Sequence, residues 1–150
     1  MLKFKISIII NQSPDIVTKA FLNPGNITFY TKDLEKFEVV REIPGQVGSV
    51  ARLHYLQNGR RYVMEDKLLA VNPGKQYVSE VSGDALVAQV ETTFTPLGSG
   101  TEMAVSWAGK PKLFLLKLLF PFLRGKMVRQ AIAELGMFKK LVETKGVNFS

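Results

Sequence analysis

The sequence contains no cysteine, one histidine and one tryptophan among its 150 residues. The missing thiol excludes a disulfide framework, a thiolate metal site and a cysteine nucleophile, while leaving the redox compartment open. A lone histidine cannot assemble a usual zinc site, so no metal is expected. In Ala51-Arg52-Leu53-His54-Tyr55 the apolar residues take one strand phase, which sends His54 outward beside Arg52 in a structural role. There is also no Walker loop, dinucleotide glycine fingerprint or Ser-His-Asp set, and Gly98-Ser99-Gly100 is too short to cradle a phosphate. No cofactor is called for.

Long apolar runs are missing as well. None approaches the ~20 residues that a spanning helix needs. The opening MLKFKISIII has two lysines before an apolar run, but it alternates at Phe4, Ile6 and Ile8 and is followed by Asn11-Gln12 rather than a small-residue cleavage site. It reads as a strand, and the expected location is the cytoplasm, with peripheral membrane contact left open by the basic segment described below.

What is present is ordinary globular content, 46% hydrophobic and 22% charged. A chain of this length fits one domain over residues 1–150, burying roughly 70% of its unfolded surface. Acidic residues are scarce only at one end. Residues 1–106 carry eleven basic and eleven acidic residues, whereas 107–150 carry nine and two, so the whole net charge of +7 sits in the C-terminal third. A local excess points to one docking patch for an anionic partner.

Residues 3–11 form the first predicted strand. Ser13-Pro14-Asp15 supplies an N-cap, a proline at the first helical position and an acid in the first turn, which opens a helix to about Leu22. A second short helix is expected over 27–32. From Leu34 to Gly109, breaks at Pro44-Gly45, Asn58-Gly59, Asn72-Pro73-Gly74, Gly83-Asp84 and Leu97-Gly98-Ser99-Gly100 divide the chain into six strands. Their connections are too short for parallel crossovers. Val128, Ala131, Ile132, Leu135, Phe138 and Val142 then form one helical stripe over 127–145. The order is βααββββββα, an α+β arrangement.

That order, with several local phrases, resembles the START and birch-pollen-allergen (SRPBCC) superfamily, and within it the polyketide cyclase/dehydratase-like group. The phrases are Ser13-Pro14-Asp15-Ile16-Val17, Pro44-Gly45-Gln46-Val47-Gly48-Ser49, Val71-Asn72-Pro73-Gly74-Lys75, Phe94-Thr95-Pro96 with Gly98, Gly100 and Thr101, and Leu141-Val142-Glu143. They are turns and caps, so they speak to fold rather than chemistry. The resemblance implies a helix-grip fold, in which a curved seven-stranded antiparallel sheet and the long C-terminal helix enclose an apolar cavity. It implies a hydrophobic small-molecule ligand; the alternatives are a cyclase-like enzyme and a membrane- or protein-docking interaction module without a ligand, its cavity filled by its own side chains.

With such a cavity, strand alternation nominates its lining. Tyr62, Met64, Asp66, Leu68 and Ala70 share one phase; if it faces inward, Asp66 is a carboxylate in an apolar chamber, with a raised pKa suited to acid/base work beside a tyrosine. If a bulge turns it outward, Asp66 is structural. Val90, Thr92 and Phe94 on one strand and Met103, Val105 and Trp107 on the next read as wall or core. The hydroxyls of Tyr55, Tyr62 and Tyr77 are candidates to orient a ligand's polar end.

The segment 110–129, KPKLFLLKLLFPFLRGKMVR, holds Lys110, Lys112, Lys117, Arg124, Lys126 and Arg129 and no acidic residue. Pro121 and Gly125 are expected to kink or interrupt a helix here. Three readings stand: a buried start of the terminal helix that lids the cavity, a surface that docks on an anionic membrane, or a basic rim for an acidic carrier protein. Interleaving of the basic residues with leucine and phenylalanine argues against nucleic acid.

Overall fold

The computed structural model describes residues 1–43 and 45–150; the expected Pro44-Gly45 break therefore falls in part on Pro44, outside the described residues. Strand β1 spans Leu2–Ile10 with Leu2, Phe4 and Ile10 buried and Lys3, Lys5 and Ser7 exposed, the period-2 pattern of a strand with one face on a core. Helix α1 (Pro14–Leu22) begins where the Ser13 hydroxyl accepts the Ile16 N–H at 3.4 Å, and Asp15 pairs with Lys19 one turn on at 3.0 Å. A 3₁₀ turn at Pro24–Asn26 leads into the short helix α2 (Ile27–Tyr30).

Six strands follow: β2 (Leu34–Arg41), β3 (Val50–Gln57), β4 (Arg60–Asn72), β5 (Gln76–Ser82), β6 (Leu86–Leu97) and β7 (Gly100–Pro111). All pairings are antiparallel, in the spatial order β1-β7-β6-β5-β4-β3-β2. The first strand thus closes on the last, and β1 and β2 form the two edges. Asn58 and Gly59 both take positive φ (51° and 78°), as a two-residue hairpin turn requires.

The expected phase of β4 holds only as far as Leu68. The register against β5 shifts between Leu68 and Ala70, so Leu69 is an extra residue at a bulge. Beyond it the faces exchange. Ala70, expected inside, is exposed, and Val71 packs on the core instead.

Helix α3 runs from Phe114 to Lys145, starting well before the expected Met127 and continuing through Pro121 without interruption. Its C-terminal half inserts Leu135, Phe138 and Val142 between the sheet and α1, where they meet Ile10, Phe94 and Met103. Its N-terminal half packs Phe120 on Leu2 and Phe4, with Trp107 alongside, stacked on Phe4 at 5.4 Å. Gly109 makes room for that indole, since a Cβ there would overlap the Trp107 ring. After Gly146 (φ 74°) the tail returns under α1 and buries Phe149 completely. Asn26, also fully buried, ties the tail down: its Nδ2 donates to Ala20 O (3.0 Å) and Val147 O (2.7 Å), and its Oδ1 accepts the Phe149 N–H at 2.9 Å.

Candidate functional site

Between the inner sheet face and the helices lies a chamber of two lobes. One, about 240 Å³, is walled by Val90, Thr92, Met103 and Val105 from β6 and β7 and by Leu135 and Phe138 from α3. The other, about 210 Å³, lies toward β2 and β3, against Phe37, Ala51, Leu53 and Leu68, with Leu22 and Ile27 closing it. Phe21, Tyr30, Asp66, Tyr77 and Ser79 line both lobes and so mark their junction. The two together reach the lower end of the ~300–1,000 Å³ typical of small-molecule sites.

The junction holds the polar chemistry. β4 aims Asp66 inward because Leu68, two residues on in the same phase, is locked into the core. Asp66 is half-buried and lines both lobes. Desolvation raises its carboxyl from 3.8 to about 6, opposed by a hydrogen bond with the Ser79 side chain from β5. Burial likewise pushes the Tyr30 phenol up, and the nearby Glu134 and Asp66 charges push it further. Glu134, on the inner side of α3, is itself raised by burial, although its Oε2 accepts from Lys32 N–H and Gln130 Nε2, both at 3.1 Å. Buried carboxylates and phenols in one concave apolar site are the usual mark of a place that handles a polar group.

The sequence-nominated residues divide into lining and neighbours. Asp66, Leu68, Tyr77, Val90, Thr92, Met103 and Val105 line the chamber. Phe94 lies just behind, edge-on to Phe21 at 5.3 Å. Tyr55 and Tyr62 are cross-strand partners stacked at 4.9 Å beside the chamber rather than in its wall; burial raises both phenols, and Glu134 adds to each. Met64 packs against Gly83, and Trp107 belongs to the cluster around Phe120. The Tyr77 hydroxyl is already engaged, accepting the Gly74 N–H at 3.0 Å. His54 lies on the outer face with its Nε2 3.0 Å from Glu38 Oε1.

Tyr30, Ser79 and Glu134 were not nominated. Ser79 had a signal, since it shares the β5 phase of Tyr77. Glu134 had one too, as a charge between Ala131, Leu135 and Phe138 on the apolar helix stripe. Tyr30 sits in a one-turn helix too short for periodicity to read.

In the basic segment all six cations are exposed, with Arg124 Nε reaching back to Lys3 O at 3.2 Å. Phe120 is buried and Leu116 and Leu123 are partly so, but Leu113, Phe114, Leu115, Leu118, Leu119 and Phe122 are exposed, Phe122 at 82%. A wholly buried segment, the lid reading in its simplest form, does not describe this helix. Among the described residues, no helix is long and apolar enough to cross a membrane.

A curved antiparallel sheet closed around a terminal helix, with an apolar chamber between them, defines a helix-grip protein. The chain belongs to the SRPBCC superfamily: the family model described as polyketide cyclase / dehydrase and lipid transport matches residues 1–143. Solved structures share the fold at low identity. A conserved protein from Geobacillus kaustophilus superposes with a TM-score of 0.80 at 12% identity, covering 97% of each chain. The Zhui aromatase/cyclase from Streptomyces sp. R1128 gives 0.79 at 15%, covering 96% of this chain and 94% of the other. A START superfamily protein from Mycobacterium smegmatis gives 0.71 at 15%, covering 93% and 98%. No curated protein matches by sequence.

Proposed function

We propose that the chamber binds one hydrophobic small molecule, such as a lipid chain, an isoprenoid or a polyketide-like ring system, with a single polar group presented to Asp66 and Ser79. The observation that carries this reading is the junction: two apolar lobes meet at one carboxyl-hydroxyl pair, so an apolar ligand with one hydroxyl or carbonyl satisfies both lobes and the pair. A carboxyl titrating near 6 accepts from a hydroxyl when ionised and donates to a carbonyl when protonated. The size of the lobes favours a compact ligand over a two-chain lipid.

The test is a fluorescence titration with retinol, an apolar chain ending in a hydroxyl. Saturable 1:1 binding is expected, and Val90→Trp, which fills the β6 side of the chamber, is expected to abolish it while the protein stays folded by circular dichroism. Equal binding by the filled variant would place the ligand elsewhere.

One observation favours a catalytic second reading. A desolvated carboxyl near 6, facing the Tyr30 phenol, is matched to proton transfer near neutral pH. On that reading Asp66→Asn retains ligand binding and loses turnover of a cyclisable polyketone substrate. Unchanged turnover removes Asp66 from the mechanism.

A further inference from the structure

At 3.6 residues per turn, Phe114, Leu115, Leu118, Leu119 and Phe122 fall on one side of α3, opposite Leu116, Phe120 and Leu123, which face the protein. The N-terminal half of α3 is therefore apolar on both sides, with only one of them covered. The outer stripe runs about 12 Å along the helix axis from Phe114 to Phe122. Lys126 and Arg129 continue the same side at i+4 and i+7 from Phe122, and Lys110 and Lys112 precede the helix at its other end. Between residues 110 and 129 there is no acidic side chain. Large exposed apolar patches rimmed by charge mark interaction sites.

We infer that this face of α3 lies on an anionic lipid bilayer, its leucines and phenylalanines entering the interface and its basic ends meeting the headgroups. The charges select this occupant. Antiparallel pairing with a second copy would cover the stripe but set the basic ends of the two helices against each other, with no acid to compensate. A bilayer offers an apolar layer flanked by negative charge, the complement of an apolar stripe with basic ends.

A second feature lies on the same side. A groove of about 460 Å³ between α2 and α3 is edged by Phe29, Lys32, Lys126, Arg129 and Met137, and its floor includes Tyr30 and Glu134, which also line the chamber. The bilayer-facing cations thus stand at a cleft that adjoins the interior, where a lipid-derived molecule would pass between membrane and chamber. The docking surface does not depend on the proposed ligand, and its test reads the surface alone.

That test is co-sedimentation of the full chain with phosphatidylcholine vesicles, with and without phosphatidylglycerol, at low and at physiological salt. Binding is expected only to the anionic vesicles, weakening as salt shortens the electrostatic range to ~8 Å. Lys126→Glu with Arg129→Glu is expected to lower partitioning by roughly thirtyfold or more, at about fivefold per basic residue. Leu118→Ser with Phe122→Ser is expected to lower it as well, and both double variants keep the wild-type melting temperature within a few degrees because the sites are exposed. Absence of binding at low salt, or equal binding to neutral vesicles, overturns the inference. So does a dimer in sedimentation that the Leu118→Ser, Phe122→Ser variant dissolves, or binding of a purified acyl carrier protein by a chain that ignores vesicles.

Discussion

Ionising Asp66 costs desolvation, and the hydrogen bond with the Ser79 side chain offsets only part of that cost, with no cation in salt-bridge contact among the described residues. Its pKa is higher in the folded than in the unfolded chain, so its charging weakens the fold. Stability is full below about 3.8, falls as pH rises toward about 6, and is level above that. Since one pKa unit corresponds to about 1.4 kcal/mol, and Asp66 is half-buried, the loss is about 1–3 kcal/mol. Asp66→Asn is therefore expected to be more stable than wild type by about that amount in urea unfolding at pH 7.5, with the advantage vanishing below pH 4. A variant no more stable than wild type at pH 7.5 contradicts the desolvated placement. Asn26→Ala is expected to act in the opposite sense, losing about 2–4 kcal/mol, because three hydrogen bonds inside the core lose their partner and the tail carrying Phe149 loosens. A loss below 1 kcal/mol would show that water replaces the amide. Period-2 alternation made the inner residues of β6 and β7 legible from sequence. It could not show that Asp66 faces inward, since either phase of β4 is a valid strand until Leu68 is known to be buried and Leu69 to form the bulge.

Turn chemistry fixed most element boundaries. Helix α1 ends at Leu22 as its caps require, and the Asn58-Gly59 hairpin has the backbone its residues favour. Helix α3 was legible only from Met127, because Pro121 and Gly125 read as breakers. Local rules do not include the packing of Leu116, Phe120 and Leu123 on Leu2 and Phe4, which holds this half helical despite the missing bond to the Lys117 carbonyl. Removing the breaker tests this balance. Pro121→Ala is expected to raise stability by roughly 1–3 kcal/mol and to slow amide exchange around residues 118–122. No gain would mean that the helix already accommodates the proline by a local adjustment. The exposed stripe beside it was legible in part: helical spacing sets Leu115, Leu118, Leu119 and Phe122 largely opposite Lys117 and Arg124, and all four are exposed, but spacing alone could not show that Phe120 is buried, since either side could be the packed one.

At the scale of the whole molecule, β1 pairs with β7 across the intervening α1, α2 and five strands, and α3 then lies over the curved, open-edged sheet. The order of elements left the partner of the first strand open, at an edge or across the sheet end, and short hairpins alone do not select β7. The junction of the two lobes was not implied, because it brings together residues from α1, α2, β4 and β5 that are distant in sequence. The charge asymmetry did survive from sequence to surface, since the basic residues of 110–129 all remain exposed. The central claim is that the chamber holds a hydrophobic molecule, and native mass spectrometry of the protein purified from cells tests it most directly. The account predicts a single non-covalent adduct of lipid or isoprenoid mass on the wild type, lost from Val90→Trp and kept by the Leu118→Ser, Phe122→Ser variant. A wild type that carries no adduct and takes up none from a lipid extract, or an adduct indifferent to Val90→Trp, would contradict it.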